Sequence, residues 1–322
     1  MKKNKEIYKE RREGVIVRNT GSSYIVRTDG GEEIPCRIKG NFRIKGIRTT
    51  NPVATGDRVI VSKAADDADY ITEILPRRNY IIRRASNLSK ESHILASNLD
   101  LAVLVVSLKE PATPTTFIDR FLATAEAYSV PAVLVINKCD MWDDDDRELA
   151  EGMRVLYESI GYKVFFTSAE TRAGIEDLLS YLVGKVSLFA GNSGVGKSSL
   201  INALIPGAQL KTGKISDIHH TGTHTTTFSE MLQLPGGGAL IDIPGVRGFG
   251  TIDFKPSEVS HFFPEIFRKS AECRYGDCKH VGEPGCAVVP AVENYEISQS
   301  RYASYLSILE ELEDGEKYRK PF

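Results

Sequence analysis

Two short segments of this chain carry residue types that together grip a nucleotide. Gly191-Asn192-Ser193-Gly194-Val195-Gly196-Lys197-Ser198 has the spacing of a phosphate loop, and Ser199 opens the apolar run that follows it. Its glycines let backbone N–H groups turn inward, where they and a helix N-terminus cradle phosphate oxygens. Lys197 then reaches the outer phosphates, and the Ser198 hydroxyl holds magnesium. The second segment is Asn137-Lys138-Cys139-Asp140. A carboxylate at Asp140 accepts both N–H donors on the guanine edge, a pattern adenine lacks, and buried mismatches of this kind discriminate by up to about 10⁴-fold. Asn137 is expected to brace the neighbouring loops and Lys138 to pack along the base.

Hydrolysis of a third phosphate needs more groups. Asp242-Ile243-Pro244-Gly245 supplies a strand-end carboxylate near magnesium and, at Gly245, a backbone N–H suited to sensing the terminal phosphate. Upstream of it lies Thr221-Gly222-Thr223-His224-Thr225-Thr226-Thr227, from which Thr226, or Thr225 beside it, completes the magnesium shell. Such a segment suits an order–disorder switch; a threonine-rich edge strand is the plainer alternative. Thr167-Ser168-Ala169 fits a small-residue loop closing over the base, or an ordinary strand-to-helix turn. Many small GTPases place a water-orienting glutamine just after the Asp-x-x-Gly element. Here that position is Val246, which has no hydrogen-bonding group. His224 is therefore expected to position the water, with His219 and His220 as alternatives, and Lys197 and Thr226 complete the catalytic set.

These residues need strand ends and helix starts to hold them. Short apolar runs precede each motif: residues 132–136 before Asn137, 163–166 before Thr167, 185–190 before Gly191 and 238–241 before Asp242. Strand ends of an open parallel sheet are where α/β folds bind ligands. The base-recognition loop precedes the phosphate loop, the reverse of the ordinary order. The old ends of the domain have been joined, and new ends open beside the moving loops.

Both flanks differ from this centre. In the carboxyl-terminal part, Cys273, Cys278, His280 and Cys286 lie within a short loop-rich stretch, and three thiolates with one imidazole suit a closed, structural zinc site. Five cysteines is an odd count, and residues 1–12 are charged throughout without the apolar core of a signal peptide, so a disulfide framework is not expected. Cys36 and Cys139 read as unreactive small residues, Met141 and Trp142 as local packing. The stretch 298–312 reads as an amphipathic helix with Tyr302, Tyr305, Leu306, Leu309 and Leu312 near one face. In the amino-terminal part, five alternating runs at 14–17, 24–28, 34–38, 58–62 and 70–75 suggest a small barrel, an OB-fold of the kind that binds oligonucleotides. Residues 1–90 carry a formal +9 and the remainder −11, so the overall −2 hides a basic head on an acidic body. Arg77, Arg78, Arg83 and Arg84, interleaved with Tyr80, read as an RNA phosphate track.

A chain of 322 residues exceeds one compact core. The expected architecture is a β-barrel (OB-fold), then a circularly permuted α/β P-loop GTPase, then a helical zinc-binding carboxyl-terminal domain. The expected bounds are 1–85, 86–252 and 253–322. The inverted motif order, the Gly-x-His-Thr-Thr-Thr segment and the Asp-x-Pro-Gly element resemble the RsgA (YjeQ) family of circularly permuted GTPases, and the likeness runs along nearly the whole chain. The Cys/His spacing resembles that family's zinc knuckle ligand for ligand. The resemblance implies a cytoplasmic factor in late assembly of the small ribosomal subunit. It implies GTP and GDP, the subunit and its rRNA as partners, magnesium with GTP, and one structural zinc. A monomer without membrane contact is expected. The alternative is an RNA-binding adaptor that senses guanine nucleotide with little turnover.

Overall fold

A computed structural model describes residues 9–20, 23–38, 52–64, 67–84, 92–210, 229–243 and 254–317. His219, His220, His224, Thr225, Thr226, Gly245 and Val246 lie outside the described residues, as do the side chains of Arg83 and Arg84.

Strands β1 (Lys9–Asn19), β2 (Tyr24–Thr28), β3 (Glu33–Ile38), β4 (Arg58–Lys63) and β5 (Asp69–Ile74) pair in the order β1-β2-β3-β5-β4, and β1 pairs again with β4. That closes a five-stranded barrel of OB type. Alternation fills it: Ile16, Tyr24, Val26, Ile34, Val59, Val61 and Ile71 point inward together with Cys36. The first run is longer than its apolar alternation. β1 spans 11 residues because its charged ends are held by partners from three strands, β2, β4 and β12 (Ser229–Gln233).

A hairpin of β6 (Tyr80–Arg84) and β7 (Ser92–Ser97) leads out of the barrel. The central sheet then runs β8 (Leu101–Ser107), α1 (Thr115–Ala127), β9 (Ala132–Asn137), α2 (Asp144–Ile160), β10 (Lys163–Thr167), α3 (Ile175–Leu182), β11 (Val186–Gly191), α4 (Lys197–Leu204), β12 and β13 (Ala239–Asp242). Strand order is β10-β9-β8-β11-β13-β12, parallel except for β12. β8 is buried at every position, the mark of a strand covered on both faces. Ala102, Leu104 and Val106 meet α1 and α2, while Leu101, Val103 and Val105 meet α3 and α4. β11, which carries the phosphate loop, lies between the half of the domain that precedes it and the half that follows.

Beyond this sheet, α5 (Pro264–Ser270), α6 (Val288–Glu293) and α7 (Gln299–Lys317) pack with a 3₁₀ turn at Pro256–Phe262. Tyr305 and Leu309 of α7 are buried in their core, with Tyr302, Leu306 and Leu312 against it. Ala123 of α1 belongs to the same core, so one helix serves two domains.

Candidate nucleotide site and metal centre

Parallel pairing brings the carboxyl ends of β8, β9, β10, β11 and β13 to one edge of the sheet. Asn137 ends β9 and is buried there. Its Nδ2 donates to the Val195 carbonyl at 2.9 Å, and its Oδ1 accepts from the Thr167 hydroxyl at 3.0 Å. One side chain thus ties the base loop to the phosphate loop and to the turn after β10. Gly196 has φ +88° and lies so close to the Asn137 amide that a Cβ there would collide with it. Lys138 adopts the left-handed conformation, and its ammonium donates to the Glu110 carbonyl. Cys139 is half-buried, and burial raises its thiol pKa. Asp140 is exposed in the short turn that follows.

Thr167 and Ser168 are buried and Ala169 half-buried. The Ser168 hydroxyl accepts from the Thr171 N–H at 3.0 Å, which shapes the turn. In the phosphate loop Gly191 and Val195 are buried, Asn192 and Gly196 half-buried, and Ser193 and Gly194 exposed. Lys197, Ser198 and Ser199 open α4 half-buried, and Lys197 pairs with Asp242 at the end of β13. The oxygens of Asp242 and Ser198 are hard donors of the kind magnesium takes, so this donor set fits that ion.

The loop after β8 also belongs to this edge, and no motif marked it. The Ser107 hydroxyl donates to the Pro111 carbonyl at 2.7 Å, and the Thr113 N–H donates to the Ser107 carbonyl at 2.9 Å. Pro111 stands against Gly194, whose added Cβ would meet the proline Cδ at 3.0 Å. Lys109 pairs with Asp146 and, at 2.6 Å, with Asp143; that hydrogen bond and the Asp146 N–H hold the Asp143 carboxyl down at about 2. The loop therefore bridges phosphate loop and base loop. Its only local signal is a serine, a proline and a threonine after an apolar run, which many turns share.

Several readings need correction. Arg77 is not a free phosphate contact: its Nε and second terminal nitrogen each reach an oxygen of fully buried Asp57 at 2.6 Å, and the arginine is itself 8% exposed. A two-pronged pair with a buried carboxylate is geometrically matched, and the partner cannot be left unpaired. Arg78 bonds the Leu99 carbonyl at 2.9 Å and Asp100 at 2.7 Å, and Tyr80 packs on Tyr128 with ring centroids 5.4 Å apart. Arg77 is thus held within the barrel unit, while Arg78 and Tyr80 fasten the segment after it to the central domain. Met141 is 41% exposed, whereas Trp142 is buried edge-on to Phe166.

A second cluster lies in the carboxyl-terminal domain. The ligand atoms of Cys273, Cys278, His280 and Cys286 all lie within 4.8 Å of one another. The Cys273 and Cys286 sulfurs are 3.6 and 3.7 Å from His280 Nδ1. Tetrahedral bonds of about 2.3 Å to sulfur and about 2.0 Å to nitrogen would put those atoms about 3.5 Å apart, so the cluster fits a single ion. The ring of Tyr305 and the carboxylate of Glu283 frame it. Glu283 accepts from the Lys279 and Val281 N–H groups, each at 2.8 Å. Burial lowers the His280 pKa and leaves the neutral imidazole a metal needs.

A P-loop sheet entered through its base-loop half, with a closed barrel before it and a Cys₃His unit after it, defines the class of circularly permuted GTPases. Residues 74–252 match the RsgA GTPase family and residues 13–71 the RsgA N-terminal domain. The chain is 58% identical over 315 residues to the small ribosomal subunit biogenesis GTPase RsgA of Porphyromonas gingivalis, covering 96% of this chain and all of that one. The crystal structure of YjeQ from Thermotoga maritima is similar at 37% identity and a TM-score of 0.76, covering 94% of this chain and 99% of that one. YloQ, described as a circularly permuted GTPase, matches at 29% identity and a TM-score of 0.73 over the full length of both. This chain belongs to the RsgA GTPase family, and it is a GTP-hydrolysing enzyme. No helix among the described residues is long and apolar enough to cross a membrane.

Proposed function

We propose that this GTPase binds the small ribosomal subunit, assists its late maturation, and leaves when GTP is hydrolysed. The observation that supports this reading is the bridge through Asn137, whose amide bonds the Val195 carbonyl and the Thr167 hydroxyl and so ties together the segments read as base loop, turn and phosphate loop. Residues 137–140 and 167–169 take the base, with Asp140 as its specificity residue. Residues 191–199 take the phosphates, and Gly245 senses the terminal one. Ser198, Asp242 and Thr226 serve magnesium, which draws charge off the phosphates when bound. His224 positions the attacking water in place of the glutamine that Val246 replaces. The Cys/His cluster holds a structural zinc. Three units, 1–85, 86–252 and 253–322, work as a monomer in the cytoplasm, with the barrel and the zinc unit facing rRNA.

Phosphate release with and without isolated small subunits, together with co-sedimentation under GDP, GTP and a non-hydrolysable analogue, tests this. Subunits should accelerate release, and the analogue should hold the factor on the pellet. Binding without acceleration would instead support the adaptor, in which nucleotide is a sensed ligand. A His224→Ala chain that binds GTP and keeps full stimulation would remove that histidine from its role.

A further inference from the structure

The barrel is joined to the nucleotide site by a route shorter than any linker. Asn19 and Arg18 at the end of β1 pair antiparallel with Ser229 and Glu230, the first two residues of β12. On its other side β12 pairs with β13, and the partner of Glu230 is Asp242. Barrel, switch-side strand and the carboxylate that meets Lys197 are therefore consecutive rungs of one sheet. Two strand spacings of about 4.8 Å each separate β1 from β13.

Buried polar contacts fasten the same point. Thr55, fully buried at the barrel's edge, reaches the Ser229 carbonyl at 3.2 Å and the Ser229 hydroxyl at 2.7 Å. Its own carbonyl accepts from the Ser97 N–H at 3.1 Å, and Asn19 donates to the Val53 carbonyl at 3.1 Å. Arg18 and Glu230 pair on the exposed side, where such a pair guides register more than it stabilises. β12 has only five residues, and among the described residues its ladder pairs with the barrel lie at the end that follows the threonine-rich segment. A strand so short has little to hold its register apart from its two neighbours.

We infer that Thr55 and Ser229 are positioning residues for the phosphate end of the nucleotide site, through which the barrel sets the placement of Asp242. The inference rests on reading Asp242 as a magnesium-side carboxylate. It assigns the barrel a role inside the GTPase reaction besides any RNA it carries. Whatever displaces β1 is felt two rungs away, without passing through the chain connection at 75–100.

Full-length Thr55→Val and Ser229→Ala chains test it, with Asp242→Asn as reference. Each removes a hydroxyl and little volume. Hydrogen exchange of the metal-free, nucleotide-free chains should quicken at residues 229–230 and 239–242 while β2–β5 stay protected. The magnesium concentration for half-maximal GTP turnover should rise about tenfold, in line with losses seen when groups behind metal ligands are removed. GDP affinity without magnesium should not change, which general unfolding would not allow. If Thr55→Val does not fold, Ser229→Ala and the exposed Arg18→Ala carry the test. Unchanged exchange and magnesium dependence in the folded variants, with Asp242→Asn altered, would overturn the barrel's role alone. An unaltered Asp242→Asn chain would overturn the site reading beneath it as well.

Discussion

Asn137 does at the scale of one residue what the pocket needs: a planar amide offers a donor and an acceptor on one rigid group, and both are used. Asp140 is a different case, since nothing but its place after that amide aims it at a base. Its role is tested by changing the base. Asp140→Asn exchanges an acceptor for a donor, so preference should move from GTP toward xanthosine triphosphate by about two to four orders of magnitude, read from competition binding. Unchanged preference would end the assignment of guanine recognition to this residue. Arg77 shows the opposite lesson. Its charge and its tyrosine neighbourhood looked like nucleic-acid chemistry, yet its partner is a buried carboxylate 20 residues upstream.

Among the elements, α1 joins the central domain to the carboxyl-terminal one. Its Asp119 is buried, accepts from Tyr157 of α2 at 2.9 Å, and pairs at 2.9 Å with Arg301 of α7. Arg301 is fully buried over the Phe263 ring, and its other nitrogens reach Glu265 at 2.7 and 3.1 Å. Burial alone would lower the arginine pKa, but the two carboxylates raise it, so the guanidinium stays charged. Arg301→Met would strand both acids, and loss of one member of a buried pair costs about 3–5 kcal/mol. A urea unfolding midpoint equal to that of the parent chain would show that the cluster holds nothing together. The Cys₃His stretch meets this helix one turn on, where the Tyr302 and Tyr305 hydroxyls donate to the His280 and Lys279 carbonyls. Burial pushes the Cys278 thiol up to about 12, so at neutral pH an ion must displace its proton. Metal affinity should therefore fall as pH falls, and a chelator should strip the ion at lower concentration near pH 6 than near pH 8. Hydrogen exchange after stripping should rise at residues 271–286 and stay low along the α1–α7 contact. Uniform loss across the carboxyl-terminal domain would mean that the ion, not the Arg301 cluster, organises it.

For the whole molecule, permutation changes what each flank can touch. The carboxyl-terminal domain follows the Asp242 loop in the chain but is packed on α1, whose preceding loop lies against the phosphate loop at Gly194 and the base loop at Lys138. The barrel precedes the central domain but is hydrogen-bonded to β12, the last strand reached before β13. An eleven-stranded sheet results, so the barrel is continuous with the site rather than tethered to it.

The candidate nucleotide loops and the Cys/His set stand out in the chain because the chemistry proposed for them needs fixed residue types at short spacing. The five barrel strands were readable for a similar reason, since alternation of period two is local. Domain class and its permuted order followed from motif order alone. Other features were set by partners far away in sequence. Arg301 meets Asp119 across 182 positions and Arg18 meets Glu230 across 212, and neither residue carries a local mark of its partner. Whether an arginine is a surface charge or a buried staple depends on which carboxylate the fold brings to it. Packing settles that, because a buried charge persists only beside its counter-charge.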